Sequence, residues 1–353
     1  MRALLYGAAA RLAAPLLPDD YLSMVNPLWS ARELRGRVTR VVPETEDAAT
    51  LVIEPGWGWR FEHRPGQYIG IAVAVHGRFV WRSYSLTCPP THHRSQLTIT
   101  VKAMPEGALS SHLVRGLEPG TIVRLAPPRG EFVLPDPPPP KLLFVTGGSG
   151  ITPVMAMLRT MDGRGAMPEV VHVHSAPDVE AALFRDELHD LVHRHPGFAL
   201  YERFTRRDGH MSLPVDLPRV CPDWREREAW VCGPSAMLHE AEKVWADGGL
   251  SGSLHVERFG TAFVDAEAQG GTVRFTGSGR SVEVDGATTL MQAGERAGIA
   301  MPFGCRMGIC HTCVVPLAEG RVRDLRDGTE HGTEHGKIQT CVTVAAGDCV
   351  LDL

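Results

Sequence analysis

Cysteine is scarce in this chain: eight in 353 residues, too few for a disulfide scaffold at that length. A reduced, cytoplasmic compartment is the reading that follows. Charge of one sign is missing as well. A formal net charge of −5 offers no basic face for general nucleic-acid binding, and no stretch resembles a DNA-binding or signalling module. Long apolar runs are absent. The most hydrophobic stretch, Met1 to Leu17, is too short to span a bilayer, and Arg11 interrupts what would be a signal-peptide core. Residues 1–34 are therefore read as an N-terminal apolar extension. It is either a short helix docked on the protein's own body or a peripheral contact with a membrane surface. The full G-x-G-x-x-G fingerprint is absent. Only one C-x2-C pair occurs, where structural zinc sites usually carry two. At 43% hydrophobic and 22% charged residues, the composition is that of a soluble globular chain, long enough for about two or three domains.

What the chain does have is concentrated near its C-terminus. Cys305-Arg306-Met307-Gly308-Ile309-Cys310-His311-Thr312-Cys313, answered by Cys341, is a C-x4-C-x2-C…C pattern. That spacing is the plant-type ligand set of a [2Fe-2S] cluster. Two irons bridged by two sulfides need four thiolates; one tight loop supplies three and a distant strand the fourth. Gly304 and Gly308 let the loop backbone turn toward the sulfurs. A structural zinc site or reduced core cysteines are the competing readings. Cys88, Cys221, Cys232 and Cys349 are left over.

Residues 35–136 read as an antiparallel β-barrel. Arg37 to Val42, Ala49 to Ile53, Tyr68 to Val75, Phe79 to Leu86, Gln96 to Lys102 and Ile122 to Leu125 are short, β-branched runs punctuated by Pro and Gly. Arg82-Ser83-Tyr84-Ser85 closes one of them. Period 2 puts Arg82 and Tyr84 on one face. A ring to lie on an isoalloxazine, a guanidinium for a phosphate and Ser85 near the flavin N5 suit a flavin nucleotide. Alone, the tetrapeptide equally fits an ordinary barrel strand. Gly107, Leu109 and Ser110, in Gly107-Ala108-Leu109-Ser110-Ser111-His112-Leu113, open a predicted helix. Its N-terminal N–H groups favour a pyrophosphate, or the serine is a plain cap.

Leu134 to Pro140 is a stiff, proline-rich linker. Residues 141–259 then alternate strand and helix, predicting a parallel, doubly wound α/β sheet. The strand Lys141 to Val145 runs into Thr146-Gly147-Gly148-Ser149-Gly150-Ile151-Thr152-Pro153 and an amphipathic helix through Met161. Thr152 is the expected N-cap and Pro153 the first helical residue. Gly147, Gly148 and Gly150 allow a dinucleotide to approach the backbone, or make an ordinary tight turn. Strands follow at Val170 to His174, Ala199 to Phe204 and Ala229 to Cys232, with helices at Ala182 to His193 and Ser235 to Trp245. Ligands of such sheets lie at the C-terminal strand ends. The glycine turn, Thr205-Arg206-Arg207 and Cys232-Gly233-Pro234 all fall there. Cys232 borders a nicotinamide or is simply a small buried hydrophobe.

Residues 271–353 follow a small-residue connection, Gly260 to Gly271. Thr272 to Thr276 and Ser281 to Val284 suggest a hairpin, and Thr289 to Ala297 a helix. Ten acidic and eight basic side chains from Gly271 onward leave a net charge of −2, too mild for strong steering. Gly-Thr-Glu-His occurs twice in tandem at 328–335. It reads as a solvated loop, the flanking glycines disfavouring a helix on which the histidines would share a metal.

Arg-x-Tyr-Ser with Gly-x-x-Ser, Gly-Gly-x-Gly-Ile-Thr-Pro with Cys-Gly-Pro, and C-x4-C-x2-C…C stand in that order. The chain resembles a ferredoxin–NADP reductase-type flavoprotein with a plant-type, β-grasp ferredoxin fused behind it. More narrowly it resembles bacterial electron-transfer partners of stearoyl-CoA Δ9-desaturases. The likeness runs from about Asn26 to Leu353 and includes Cys221 to Glu228 and Gln339-Thr340-Cys341.

The resemblance implies that Arg82, Tyr84 and Ser85 hold FAD, with Gly107, Leu109 and Ser110 at its pyrophosphate. It implies that Gly147, Gly148, Gly150, Thr152, Pro153, Cys232, Gly233 and Pro234 frame the nicotinamide nucleotide, and that Phe259 of Glu257-Arg258-Phe259 covers the flavin. Tyr84, Ser85, Cys232 and Glu257 are then the catalytic candidates. Cys305, Cys310, Cys313 and Cys341 become the cluster ligands. Thr205-Arg206 matches a pair that reads a 2′-phosphate, favouring NADPH. His174-Ser175-Ala176-Pro177-Asp178 has no basic residue, and a carboxylate such as Asp178 suits the 2′-hydroxyl of NADH. The implied activity passes electrons from NAD(P)H through FAD and [2Fe-2S] to a partner protein. An acyl-CoA desaturase leads, with a ring-hydroxylating oxygenase or a cytochrome P450 as alternative. An iron–sulfur redox sensor is the reading from a different class.

Overall fold

The computed structural model of the chain describes residues 18–30, 34–75, 78–90, 96–104, 108–259, 270–286, 288–303, 311–325 and 329–353. It divides into two compact units, one running to Glu257 and the other Arg258–Leu353 together with Val80–Arg82.

The first unit opens with helix α1, Pro18–Val25, and a six-stranded antiparallel sheet. Its strands are β1 Arg35–Thr45, β2 Ala48–Pro55, β3 Tyr68–Val75, β4 Arg78–Ser85, β5 Leu97–Lys102 and β6 Ile122–Leu125, in the order β4-β3-β6-β1-β2-β5. The two edge strands meet. Leu86 forms an antiparallel bridge with Ile99, and Thr87 N–H donates to the Thr98 carbonyl at 2.8 Å. The sheet thereby closes on itself, which removes its unpaired edges. Helix α2, Ala108–Arg115, buries Leu109 and Leu113 in this barrel.

The α/β half carries five parallel strands: β7 Lys141–Gly147, β8 Glu169–Ala176, β9 Phe198–Phe204, β10 Glu228–Cys232 and β11 Leu254–Glu257, in the order β11-β10-β7-β8-β9. Helices α3 Ile151–Gly163 and α4 Arg185–Arg194 cover one face. After the short helix α5, Thr205–Asp208, helices α6 Leu213–Val220 and α7 Ser235–Asp247 cover the other. The doubly wound sheet is as its alternating pattern requires. Barrel and α/β half share one core, because Ala48, Phe132 and Leu134 pack with Ile151, Met155 and Met157. Arg159 ties them further. Its guanidinium donates to the Thr87 carbonyl at 2.8 Å and to both Glu187 oxygens at 2.7 and 2.6 Å.

Several local expectations need correction. Helix α3 starts at Ile151 with Gly150 as N-cap, not Thr152. A 3-10 turn over Gly148–Gly150 feeds directly into it. Thr152 sits inside the first turn and donates its hydroxyl to the Ser149 carbonyl at 2.9 Å. Pro153 is third, where its missing N–H is still no loss. The helix is not amphipathic in place: every residue from Ile151 to Leu158 is buried, because barrel and sheet enclose it. Helix α4 begins at Arg185 rather than Ala182, since Phe184 turns left-handed at φ 56°.

The second unit contains β12 Gly271–Phe275, β13 Ser281–Val284, helix α8 Leu290–Arg296, β14 Val314–Asp324, β15 Glu330–His331, β16 Lys337–Gln339 and β17 Thr343–Leu351. The order β13-β12-β17-β14-β15, with β12 and β17 parallel and α8 packed on the sheet, is an α+β grasp. A capping box starts α8: Gln292 N–H donates to Thr289 Oγ1 at 3.2 Å, and Thr289 N–H to Gln292 Oε1 at 3.1 Å. The tandem Gly-Thr-Glu-His tract is more than a loop. Glu330 and His331 pair with β14, and Thr333–His335 forms a 3-10 turn. Glu330 is fixed by Arg321 at 2.8 Å and Arg323 at 2.6 Å. No group of three or more metal-ligating side chains occurs among the described residues. The Gly260 to Gly271 connection lies outside them over 260–269, as do 1–17.

Candidate functional site

The C-terminal ends of the parallel strands set Glu257, Cys232, Gly147, Ala176 and Phe204 in a row along one edge of the sheet. The glycine turn stands at the middle of this edge and lies beside β5 of the barrel. Space, not conformational freedom, decides Gly150. Its φ is an ordinary −60°, but a Cβ there would stand 2.1 Å from the Cys232 carbonyl oxygen and 2.8 Å from Gly233 N. At Gly147 a Cβ would meet Pro234 Cδ at 2.7 Å. The expected residues Gly147, Gly148, Gly150, Thr152, Pro153, Cys232, Gly233 and Pro234 are thus brought together, with bare backbone at their centre. Such a cradle admits a pyrophosphate.

A buried polar triad lies at this end of the sheet. Thr146 Oγ1 is 2.8 Å from His172 Nε2 and 2.8 Å from His174 Nδ1. Burial keeps both imidazoles neutral, His174 lowered to about 4 and His172 well below the ordinary value. The triad clamps the end of β7 to β8 before the glycine turn. Sequence reasoning passed over it. Histidines alternating with valines in Val171-His172-Val173-His174 were the available signal, since a doubly covered parallel strand has no solvated face for them.

Cys232 is fully buried, and burial beside Glu257 pushes its thiol well above the usual range. It is a packing group here and no thiolate nucleophile. Glu257 pairs with it across β10 and β11. Burial pushes the Glu257 carboxyl up to about 7. The folded chain then binds more protons than the unfolded chain between the ordinary 4.5 and about 7, so stability is lost as pH rises across that window. Glu257→Gln is expected to flatten this fall, as thermal unfolding at about pH 5 and about pH 8 would measure. An unchanged slope in the variant would remove Glu257 as its source.

In the barrel, Ser85 is buried at the end of β4, Tyr84 is half-buried and Arg82 exposed. Ser110 Oγ accepts from Met104 N–H at 3.0 Å and braces the entry to α2, while Leu109 faces the core. Gly107 lies outside the described residues. At the far end of the strand row, Thr205 and Arg206 open α5, and the Arg206 guanidinium donates to the Asp178 carboxylate.

In the second unit, Cys313 and Cys341 are both buried, and their sulfurs stand 3.2 Å apart, too far for a disulfide between them. Thr340 holds the pair from behind: its hydroxyl donates to the Cys313 carbonyl at 3.0 Å. Two thiols converging in an apolar core fit a place in the four-thiolate set that a [2Fe-2S] cluster would need. Cys305 and Cys310 lie outside the described residues. Phe259 is 47% exposed. Among the described residues, no helix is long and apolar enough to cross a membrane.

Three families match successive parts of the chain. The oxidoreductase FAD-binding domain matches residues 55–134, the oxidoreductase NAD-binding domain 144–243, and the 2Fe-2S iron-sulfur cluster binding domain 273–346. The chain is similar to an NADPH oxidoreductase of Mycobacterium tuberculosis, 58% identical over 98% of this chain and 91% of the relative. It is similar to a glycine betaine monooxygenase reductase subunit of Pseudomonas aeruginosa, 29% identical over 94% of this chain and 99% of the relative. Among solved structures, phthalate dioxygenase reductase shares the fold. The TM-score is 0.61 at 24% identity, covering 91% of this chain and 98% of that one.

Proposed function

Because this chain belongs to the ferredoxin–NADP reductase-type flavoproteins that carry a [2Fe-2S] ferredoxin in the same polypeptide, we propose that its electrons leave for an acyl-CoA Δ9-desaturase. The chain is an NAD(P)H-dependent oxidoreductase with FAD, [2Fe-2S] and a nicotinamide nucleotide as its redox groups. Held by this chain, FAD would supply hydride acceptance from the nicotinamide and the [2Fe-2S] cluster would supply one-electron transfer.

The protein's own contribution is positioning. Gly147 to Gly150 offer backbone N–H groups to the nucleotide's pyrophosphate, and Pro234 closes the cradle. Tyr84 and Ser85 hold the flavin from the end of β4, with Arg82 on a phosphate. Glu257, poised near neutrality, holds or releases a proton beside Cys232. Cys305, Cys310, Cys313 and Cys341 ligate the cluster. The observation that carries this reading is the glycine cradle, in which a side chain at Gly150 would strike the Cys232 backbone.

The desaturase assignment is supported by the sequence resemblance over Cys221 to Glu228 and Gln339 to Cys341. Exposed Met24 and Val25 on α1, next to an apolar N-terminal stretch, support peripheral contact with a membrane that holds such an acceptor. NADPH as donor is supported by the relative named an NADPH oxidoreductase. One observation favours a second reading: the relative that is a monooxygenase reductase subunit supports an oxygenase component as acceptor.

The two acceptors separate in one assay. The purified holoprotein and NADPH are mixed with a desaturase in lipid vesicles plus stearoyl-CoA, and in parallel with a ring-hydroxylating oxygenase and its substrate. Oleoyl-CoA formation coupled to NADPH use is expected in the first. NADPH oxidation that stays at background there and rises only with the oxygenase would overturn the desaturase reading.

A further inference from the structure

β8 and β9 end side by side, with Ala176 opposite Phe204. The loops leaving them touch: Arg206 N–H donates to the Pro177 carbonyl at 3.0 Å. Asp178 is held between them. Its Oδ1 accepts from Ala181 N–H at 2.9 Å, and its Oδ2 accepts from the Arg206 guanidinium. The Arg206 side chain is 75% exposed and that of Asp178 26%. The cation of the Thr205-Arg206 pair, which the sequence resemblance assigns to a 2′-phosphate, therefore already carries a carboxylate. Twenty-eight residues separate the two in sequence.

We propose that Asp178 is a specificity-determining residue, an internal competitor that occupies Arg206 until a 2′-phosphate displaces it. This rests on the reading of NADPH as donor, with its 2′-phosphate taken to Thr205-Arg206 beside the end of β9. An exposed ion pair is among the weakest ionic contacts in a protein. A phosphomonoester brings nearly two negative charges and acceptor oxygens matched to the guanidinium fork. The dianion therefore wins the exchange. A ribose 2′-hydroxyl has no charge with which to open the pair. NADH then leaves it closed, and it finds both Asp178 oxygens already engaged. The device selects for NADPH by making Arg206 answer only to a dianion, at the cost of some NADPH affinity.

The full-length holoprotein tests this with ferricyanide as acceptor, which needs no downstream partner. Flavin absorbance per chain reports folding in every sample. Asp178→Asn is expected to lower KM for NADPH about threefold to fivefold, the scale of one exposed pair, with kcat changed little. The same variant is expected to tighten competitive inhibition by 2′-AMP and not by 5′-AMP. The gain shrinks as salt rises, because screening weakens the pair it removes. Arg206→Gln is expected to raise KM for NADPH at least about tenfold. If Asp178→Asn leaves KM for NADPH unchanged or raises it while Arg206→Gln weakens NADPH, Asp178 merely orients Arg206 and the competitor is wrong. If Arg206→Gln leaves NADPH untouched, the ribose lies elsewhere, and the nucleotide placement falls together with the competitor.

Discussion

Cys341→Ser is expected to separate the two halves of the electron path. The variant should still reduce ferricyanide with NADPH, because the flavin and nucleotide modules, apart from Val80–Arg82, lie in the other compact unit. Its reduction of cytochrome c should fall by more than about 100-fold. Even partners one shell removed from a metal are worth roughly 10- to 100-fold in affinity or activity, and a ligand is worth more. In the proposed ligand role, serine is not expected to substitute. Cys341 is buried against Cys313 at 3.2 Å, with the Thr340 hydroxyl spent on the Cys313 carbonyl. A serine oxygen there is a harder donor on a shorter arm, in an apolar core that penalises an unmatched hydroxyl. Iron and acid-labile sulfide per chain should drop in parallel. Cytochrome c reduction at the parent rate, with iron retained, would remove Cys341 from the ligand set.

Gly150→Ala is expected to be the most damaging single methyl in the α/β half. The new Cβ would lie 2.1 Å from the Cys232 oxygen and 2.5 Å from its carbonyl carbon. Both are backbone atoms of β10, and β10 is locked to β7 by the pairing of Cys232 with Thr146. Neither strand end can yield without opening the sheet. Overpacking costs about 1–3 kcal/mol, occasionally more. For a unit of this size that lowers Tm by roughly 2–6 °C. The functional loss should exceed the stability loss. Displacing the nucleotide cradle by about 1 Å is worth about 100-fold in kcat/KM for NADPH. Flavin content should survive, since the barrel closes independently through Leu86 and Ile99. Gly148→Ala is the internal control. Its φ is +53°, but nothing lies within 4 Å of the added carbon, so the penalty is local backbone strain alone. If Gly148→Ala proved worse than Gly150→Ala, close backbone approach would not be what governs this turn.

Much of the architecture was readable because its signals are local. The strands of the barrel and the α/β half fall close to their expected bounds, since β-branched runs between Pro and Gly carry their own period. The glycine turn was legible as a turn, and the cysteine spacing pointed to the 2Fe-2S domain that matches residues 273–346. The starts of α3 and α4 were misplaced. Thr152 and Pro153 look like a cap, but the 3-10 turn at Gly148–Gly150 had already begun the helix. The α3 pattern suggested one apolar face, yet it is enclosed by barrel and sheet together. Enclosure by two partners is a property of the assembled chain, invisible in the helix's own periodicity.

The division follows from range. By itself the sequence determined three modules, their order and their redox groups, because ligand spacing, strand period and glycine turns act over a few residues and survive in any context. Only the tertiary structure decided which backbone Gly150 must avoid, that Thr146 bridges His172 and His174, that Glu257 titrates near neutrality and that Asp178 holds Arg206. Each of these depends on desolvation or contact between segments that the chain brings together only on folding, and a charge or a methyl group has no fixed energy until its surroundings are set.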